Sequence, residues 1–203
     1  MNNDSIRTIP PSPEEYNLTV SVAEKSPSYS ITSNSESNEF IGASAITGFK
    51  SYVVARDDCL GTIVYVGITT RSMKERFRDG FRSTDNNDTY TWALEKGKYK
   101  LLVWDLSKIV KDKIELQAIE AELTFSVRVM QRSWPTGQKS ITFYYFRMSK
   151  TVQIASLVAT IMIRQYFDFL ANRKTLTNDR LQIIKYERDR VEKLLKELSL
   201  TQI

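Results

Sequence analysis

Hydrophobic and polar positions divide the chain into three stretches. Over residues 1–42, Ser, Asn, Pro and Glu dominate and large apolar residues are sparse. That pattern predicts a disordered arm, with at most a short strand at Leu18–Val22. From Ala45 the apolar residues gather into runs bounded by turn formers. Ile46–Ala55 and Thr62–Val66 predict two antiparallel strands joined by a turn over Arg56–Gly61. Tyr65-Val66-Gly67 is expected to end the second strand and to expose its tyrosine. A helix follows over Ser72–Asp79, closed by Gly80. The Asn/Asp cluster Asp85–Asp88 predicts a loop and an N-cap for a helix over Thr91–Lys96, ended by Gly97. Tyr99–Asp105 predicts a third strand, and Lys113–Arg132 a long helix stopped near Trp134-Pro135-Thr136-Gly137. Ser140–Phe146 predicts a further strand.

The last quarter is helical in pattern. Thr151–Ile163 is uncharged and mostly apolar, but thirteen residues fall short of the roughly 20 a bilayer demands, so a buried core helix and no membrane contact are expected. Leu181, Ile184, Val191, Leu195 and Leu198 recur at heptad-like spacing, with Arg188 interrupting one seam position. The two segments predict a helical hairpin, packed on itself or on a second copy of the chain. The expected organisation is an arm (1–42), an α/β domain (43–148) and the hairpin (149–203).

Charge adds a bias. Residues 1–40 hold two basic and six acidic side chains and the remainder 27 and 18, so a chain of net charge +5 is −4 in its arm and +9 beyond it. A basic folded part favours a phosphate-bearing partner, though a merely solvated basic surface looks the same. Composition excludes more. With no histidine and a single cysteine, Cys59, there can be no internal disulfide, no Cys- or His-based metal site, no Ser-His-Asp triad and no imidazole base. Chemistry is left to Tyr, Lys, Arg, Asp and Glu, with or without a hard, oxygen-ligated metal. The N-terminus lacks the basic start and apolar run of a signal peptide, and a cytoplasmic location is expected.

Two helices carry charges in unusual places. On Lys113–Arg132, helical periodicity puts Leu116, Ile119, Leu123, Val127 and Met130 on one apolar stripe, with Glu120 at its edge and Glu122 towards solvent. A carboxylate beside a core-facing stripe is costly unless it is paired or binds a cation. On Ser72–Asp79, Met73 and Phe77 mark the buried side and Arg76 flanks them, while Lys74, Glu75 and Arg78 point outwards. A positioned guanidinium suits phosphate oxygens. Each feature alone is equally what a salt bridge or a snorkelling arginine would leave. Tyr52 and Tyr65, on the paired strands, are each ordinary strand residues taken singly.

The ordered set is more specific. Tyr65-Val66-Gly67, Arg76 eleven residues later and Glu120 in an Ile-Glu-x-x-Leu setting resemble the GIY-YIG nucleases. The resemblance covers about residues 45–146. The first tripeptide, Lys50-Ser51-Tyr52, keeps only its tyrosine, and Trp134-Pro135-x-x-Gln138-x-x-Ile141 is similar to the ending of some bacterial members, where Asn is more usual than Gln138. Many members place a histidine shortly after the arginine; here Gly80 and its neighbours supply none.

The resemblance implies a small mixed three-stranded sheet flanked by helices and a metal-dependent endonuclease that hydrolyses DNA phosphodiesters. It implies that Tyr52 helps deprotonate the attacking water and that Tyr65 shapes the phosphate site. Arg76 would stabilise charge on the phosphoryl oxygens, and Glu120 would hold Mg²⁺ or Mn²⁺. Gly67, Lys74 and Gln138 are expected to contact DNA. The missing histidine and the degenerate first tripeptide keep two other outcomes open: a related module that binds nucleic acid without cutting it, and an assembly protein built on the helical hairpin.

Overall fold

Alternating apolar residues build a sheet larger than three strands. The computed structural model describes residues 9–24, 26–57, 61–82, 88–137 and 149–172, with isolated positions beyond. The expected strand Ser140–Phe146, most of the second helix of the hairpin, and Gln138 lie outside the described residues. The elements in order are β1 (Glu14–Ala23), β2 (Ser26–Ser33), the single-turn α1 (Gly42–Ala45), β3 (Lys50–Arg56), β4 (Ile63–Thr69), α2 (Met73–Arg82), a 3₁₀ segment (Asp88–Leu94), β5 (Gly97–Asp105), α3 (Lys113–Gln131) and α4 (Ser149–Ala171). The five strands form one antiparallel sheet in the order β2-β1-β5-β3-β4.

The disordered arm is therefore a correction. Tyr16, Leu18 and Val20 are buried while Asn17, Thr19 and Ser21 between them are exposed, the period-2 signature of a strand covered on one face. β2 repeats it more weakly, with Tyr29 and Ile31 set among serines. Low average hydrophobicity conceals the hairpin because half its positions face water.

β3 is buried along nearly its whole length because helical layers cover both faces. Val53, Ala55, Leu102 and Trp104 meet the inner faces of α3 and α4. Tyr52, Val54, Leu101 and Val103 meet α2 and the 3₁₀ segment through Met73, Phe77, Tyr90 and Trp92. The α3 stripe is as expected: Leu116, Ile119, Leu123 and Val127 are buried and Met130 is partly so. Asp112 caps α3 by accepting from the amides of Ile114 and Glu115.

Three local expectations change. Gly67 lies inside β4, opposite Tyr52, not in a turn, and Tyr65 is 3% exposed. α2 runs through Gly80 to Arg82; its start is fixed by a capping box in which Ser72 and Glu75 bond each other's amides at 3.2 and 3.3 Å. α4 is 23 residues long, and over Thr151–Ala171 it is long and apolar enough to cross a membrane by length and composition. Its inner face, from Ala155 through Val158, Met162 and Tyr166 to Leu170, is nonetheless part of the domain core against α3.

Candidate functional site

Sheet register gathers the tyrosines. Val54 faces Tyr65 but Ala55 faces Ile63, so Val64 is an extra residue on β4. Simple alternation from Ile63 would send Tyr65 towards α3; the bulge turns it onto the α2 face beside Tyr52. Their rings lie 5.9 Å apart. Gly67 makes room for this. A Cβ there would stand 2.6 Å from the Tyr52 hydroxyl and 2.6 Å from Cε1 of Tyr65. The glycine expected to touch DNA thus has a packing reason to be glycine.

α2 brings Arg76 over the pair. Its Nε donates to the Tyr52 hydroxyl at 3.1 Å and an Nη2 proton reaches the Tyr65 hydroxyl at 3.4 Å. The guanidinium also lies 5.2 Å from the centre of the Tyr90 ring, within cation–π range. Tyr90 in turn shares a 2.9 Å hydrogen bond with Tyr52. Among the described residues the two Arg76 bonds leave the rest of the five guanidinium N–H groups available to another acceptor. Interaction with Tyr52 first, then Tyr90 and Tyr65, outweighs desolvation and raises the Arg76 pKa further above its ordinary value.

Sequence patterns alone did not single out Tyr90. It arrives from the 3₁₀ segment, where the expectation was a loop leading into a helix, and it is 1% exposed. Its ring fills the space beside Gly80, where a Cβ would come within 2.5 Å of Cε1. Tyr90 thus brings a hydroxyl-bearing ring to Gly80 from elsewhere in the chain. The available signal was Tyr90-Thr-Trp92, two large aromatics two residues apart after a polar cluster. Burial raises the pKa of both Tyr65 and Tyr90.

Glu120 approaches from the other layer. It lies on α3 and couples electrostatically to Arg76 and Tyr65 around β4, the edge strand, yet it makes no hydrogen bond among the described residues. Desolvation pushes its carboxyl up to about 7, against the opposing pull of Arg76. Glu122, expected in solvent, is half-buried and its carboxyl is also raised by desolvation. Tyr52, Tyr65, Arg76 and Tyr90 are thus joined by direct contacts, and Glu120 lies within electrostatic reach of Arg76 and Tyr65.

The remaining candidates stand apart. Lys74 is exposed on the outer side of α2. Lys50, at the start of β3, is 1% exposed and donates to the carbonyls of Ile46, Gly48 and Arg71 at 2.7, 3.1 and 3.3 Å. Gly137, the neighbour of Gln138, donates to the Val64 carbonyl of β4 at 2.9 Å. Among the described residues no group of three or more His, Cys, Asp or Glu side chains could hold a metal ion. A metal at this site would rest on Glu120 as its protein carboxylate. No known protein family, curated protein or solved structure matches this chain.

Proposed function

We propose that the chain is a divalent-metal-dependent endonuclease that hydrolyses DNA phosphodiester bonds. The observation that carries this is the pre-oriented Arg76, held by two tyrosine hydroxyls, within electrostatic reach of a carboxylate of raised pKa that makes no hydrogen bond among the described residues. Keeping the two apart, each costly to desolvate, is the arrangement expected where a phosphate and its counter-ion are to sit between them.

In this reading Arg76 donates to the non-bridging oxygens of the scissile phosphate, where charge grows in the transition state. Because the guanidinium is already fixed, little reorganisation is needed. Tyr52 and Tyr65 hold its plane; Tyr90 holds Tyr52. At 0% exposure, Tyr52 is better suited to aiming Arg76 than to meeting bulk water, so positioning is the role its burial supports. Glu120 would hold Mg²⁺ or Mn²⁺. One carboxylate with water ligands suits Mg²⁺, and a cation would relieve the desolvation that raises the carboxyl pKa. When bound, such an ion supplies charge stabilisation at the phosphate and at the leaving oxygen.

The burial of the tyrosines and the upward shifts of Tyr65 and Tyr90 specifically favour one other reading, a module that binds DNA without cutting it. Incubation of supercoiled plasmid with Mg²⁺, Mn²⁺ or EDTA separates the two. Nicking that requires metal and is abolished in Glu120→Ala supports the nuclease; retained DNA binding without nicking supports the binding module.

A further inference from the structure

A cleft of about 280 Å³ opens beside Arg76, walled by Thr69, Arg71, Arg76, Asp79, Lys113 and Leu116 among others. Helical spacing explains the walls. Arg76 and Asp79 are three residues apart on α2; Lys113, Leu116 and Glu120 follow at i, i+3 and i+7 on α3. The cleft therefore lies at the end of β4, where α2 on one face of the sheet and α3 on the other both flank Ile68–Arg71, and it is continuous with the candidate site through Arg76. Three of its lining side chains are cationic and one, Asp79, is anionic.

The backbone of the turn that carries Arg71 is tied down by hydrogen bonds. The buried Lys50 ammonium holds the Arg71 carbonyl, the Arg71 amide donates to Thr69 Oγ1 at 3.0 Å, and the Gly48 amide donates to the Thr70 carbonyl at 3.0 Å. The Arg71 side chain, by contrast, is 63% exposed. It points to Asp79, with Nη1 at 2.6 Å from Oδ2. Asp79 also accepts from Arg78 Nε at 3.2 Å. An exposed pair of this kind contributes little to stability and is readily exchanged for a better anion.

The geometry points to this cleft as the seat of the DNA phosphate adjacent to the scissile one, with Arg71 and Lys113 as its ligands. Asp79 is the carboxylate that the incoming phosphate displaces from Arg71. The identity of the ligand rests on the nuclease proposal; the charge arrangement does not. A phosphate beside a guanidinium already committed to Asp79 gains less than one beside a free guanidinium, so Asp79 weakens binding and favours release.

The test is DNA affinity of the full chain in EDTA, read by fluorescence anisotropy across a KCl series, for wild type, Arg71→Ala, Lys113→Ala, Asp79→Asn and Lys98→Ala. Lys98 is exposed at the far end of β5, opposite Thr19. Each lost phosphate contact lowers the slope of log affinity against log salt by about 0.9 on duplex DNA. Arg71→Ala and Lys113→Ala are expected to show that drop, Lys98→Ala to leave the slope unchanged, and Asp79→Asn to tighten binding several-fold. Unchanged slopes in the first two, an equal drop in Lys98→Ala, or no DNA binding by the wild type each overturn the proposal. Because EDTA removes any cleavage, slopes that behave as expected beside an inactive plasmid assay would sink the nuclease and leave the cleft standing.

Discussion

Replacing Glu120 with glutamine has a consequence for folding that is separable from catalysis. The carboxyl titrates near 4.5 when exposed and at about 7 in the folded chain, because burial penalises its charged form. Below about 4.5 it is protonated in both states, and the stability its neutral form allows is fully present. Between 4.5 and 7 only the unfolded chain ionises, and that stability is lost as pH climbs through the folded value. Above 7 both states are ionised and the loss is complete. The gap between the two values corresponds to about 3 kcal/mol. Glu120→Gln is therefore expected to match wild type near pH 4.5 and to exceed it by up to about 3 kcal/mol near pH 8, or roughly 6–12 °C in Tm for a chain of this size. Excess Mg²⁺ near pH 8 should raise the wild-type Tm and leave the glutamine variant unmoved, since only the carboxylate attracts the ion. Thermal denaturation by circular dichroism at the two pH values reads all of this. A variant that is less stable near pH 8, or a gap that does not change with pH, would refute the claim that burial of the Glu120 carboxylate opposes its charge.

Other substitutions probe the rest of the cluster. Gly67→Ala forces a methyl to within 2.6 Å of both tyrosine rings and should destabilise the fold by about 1–3 kcal/mol, measured by urea unfolding, with a parallel loss of cleavage. Tyr90→Phe keeps the ring but deletes the hydroxyl bonded to Tyr52, for about 1 kcal/mol of stability; a selective fall in kcat with unchanged DNA affinity would mark it as a positioning residue. Arg76→Lys replaces a fork that serves two tyrosines with a single ammonium and should cost about 10²–10³ in cleavage rate, measured under single-turnover conditions.

Much of the sheet core was legible from the sequence because its strands have unambiguous patterns. β3, β5 and α3 are long apolar or strictly amphipathic runs, and their expected limits lie within a few residues of the observed ones. The N-terminal hairpin was not, since a one-faced strand such as β1 has polar residues at every second position and resembles a disordered arm by composition. Register explains the second miss. The bulge at Val64 changes which face Tyr65 occupies, and a one-residue insertion in a ladder leaves no mark in hydrophobicity alone. The order of Tyr52, Tyr65, Arg76 and Glu120 along the chain suggested a shared site; hydrogen bonds join the first three, and Glu120 is within electrostatic reach of Arg76. Tyr90 was not legible, because its place beside Arg76 depends on how the 3₁₀ segment folds over Gly80, a contact between residues ten apart that no local pattern encodes.

The most direct test of the central claim is plasmid cleavage by wild type, Glu120→Ala and Arg76→Ala, each confirmed folded, in Mg²⁺ and in EDTA. The account predicts nicking by wild type in Mg²⁺ alone, and its loss in both variants. Cleavage that persists in EDTA, or that survives either substitution, would contradict it.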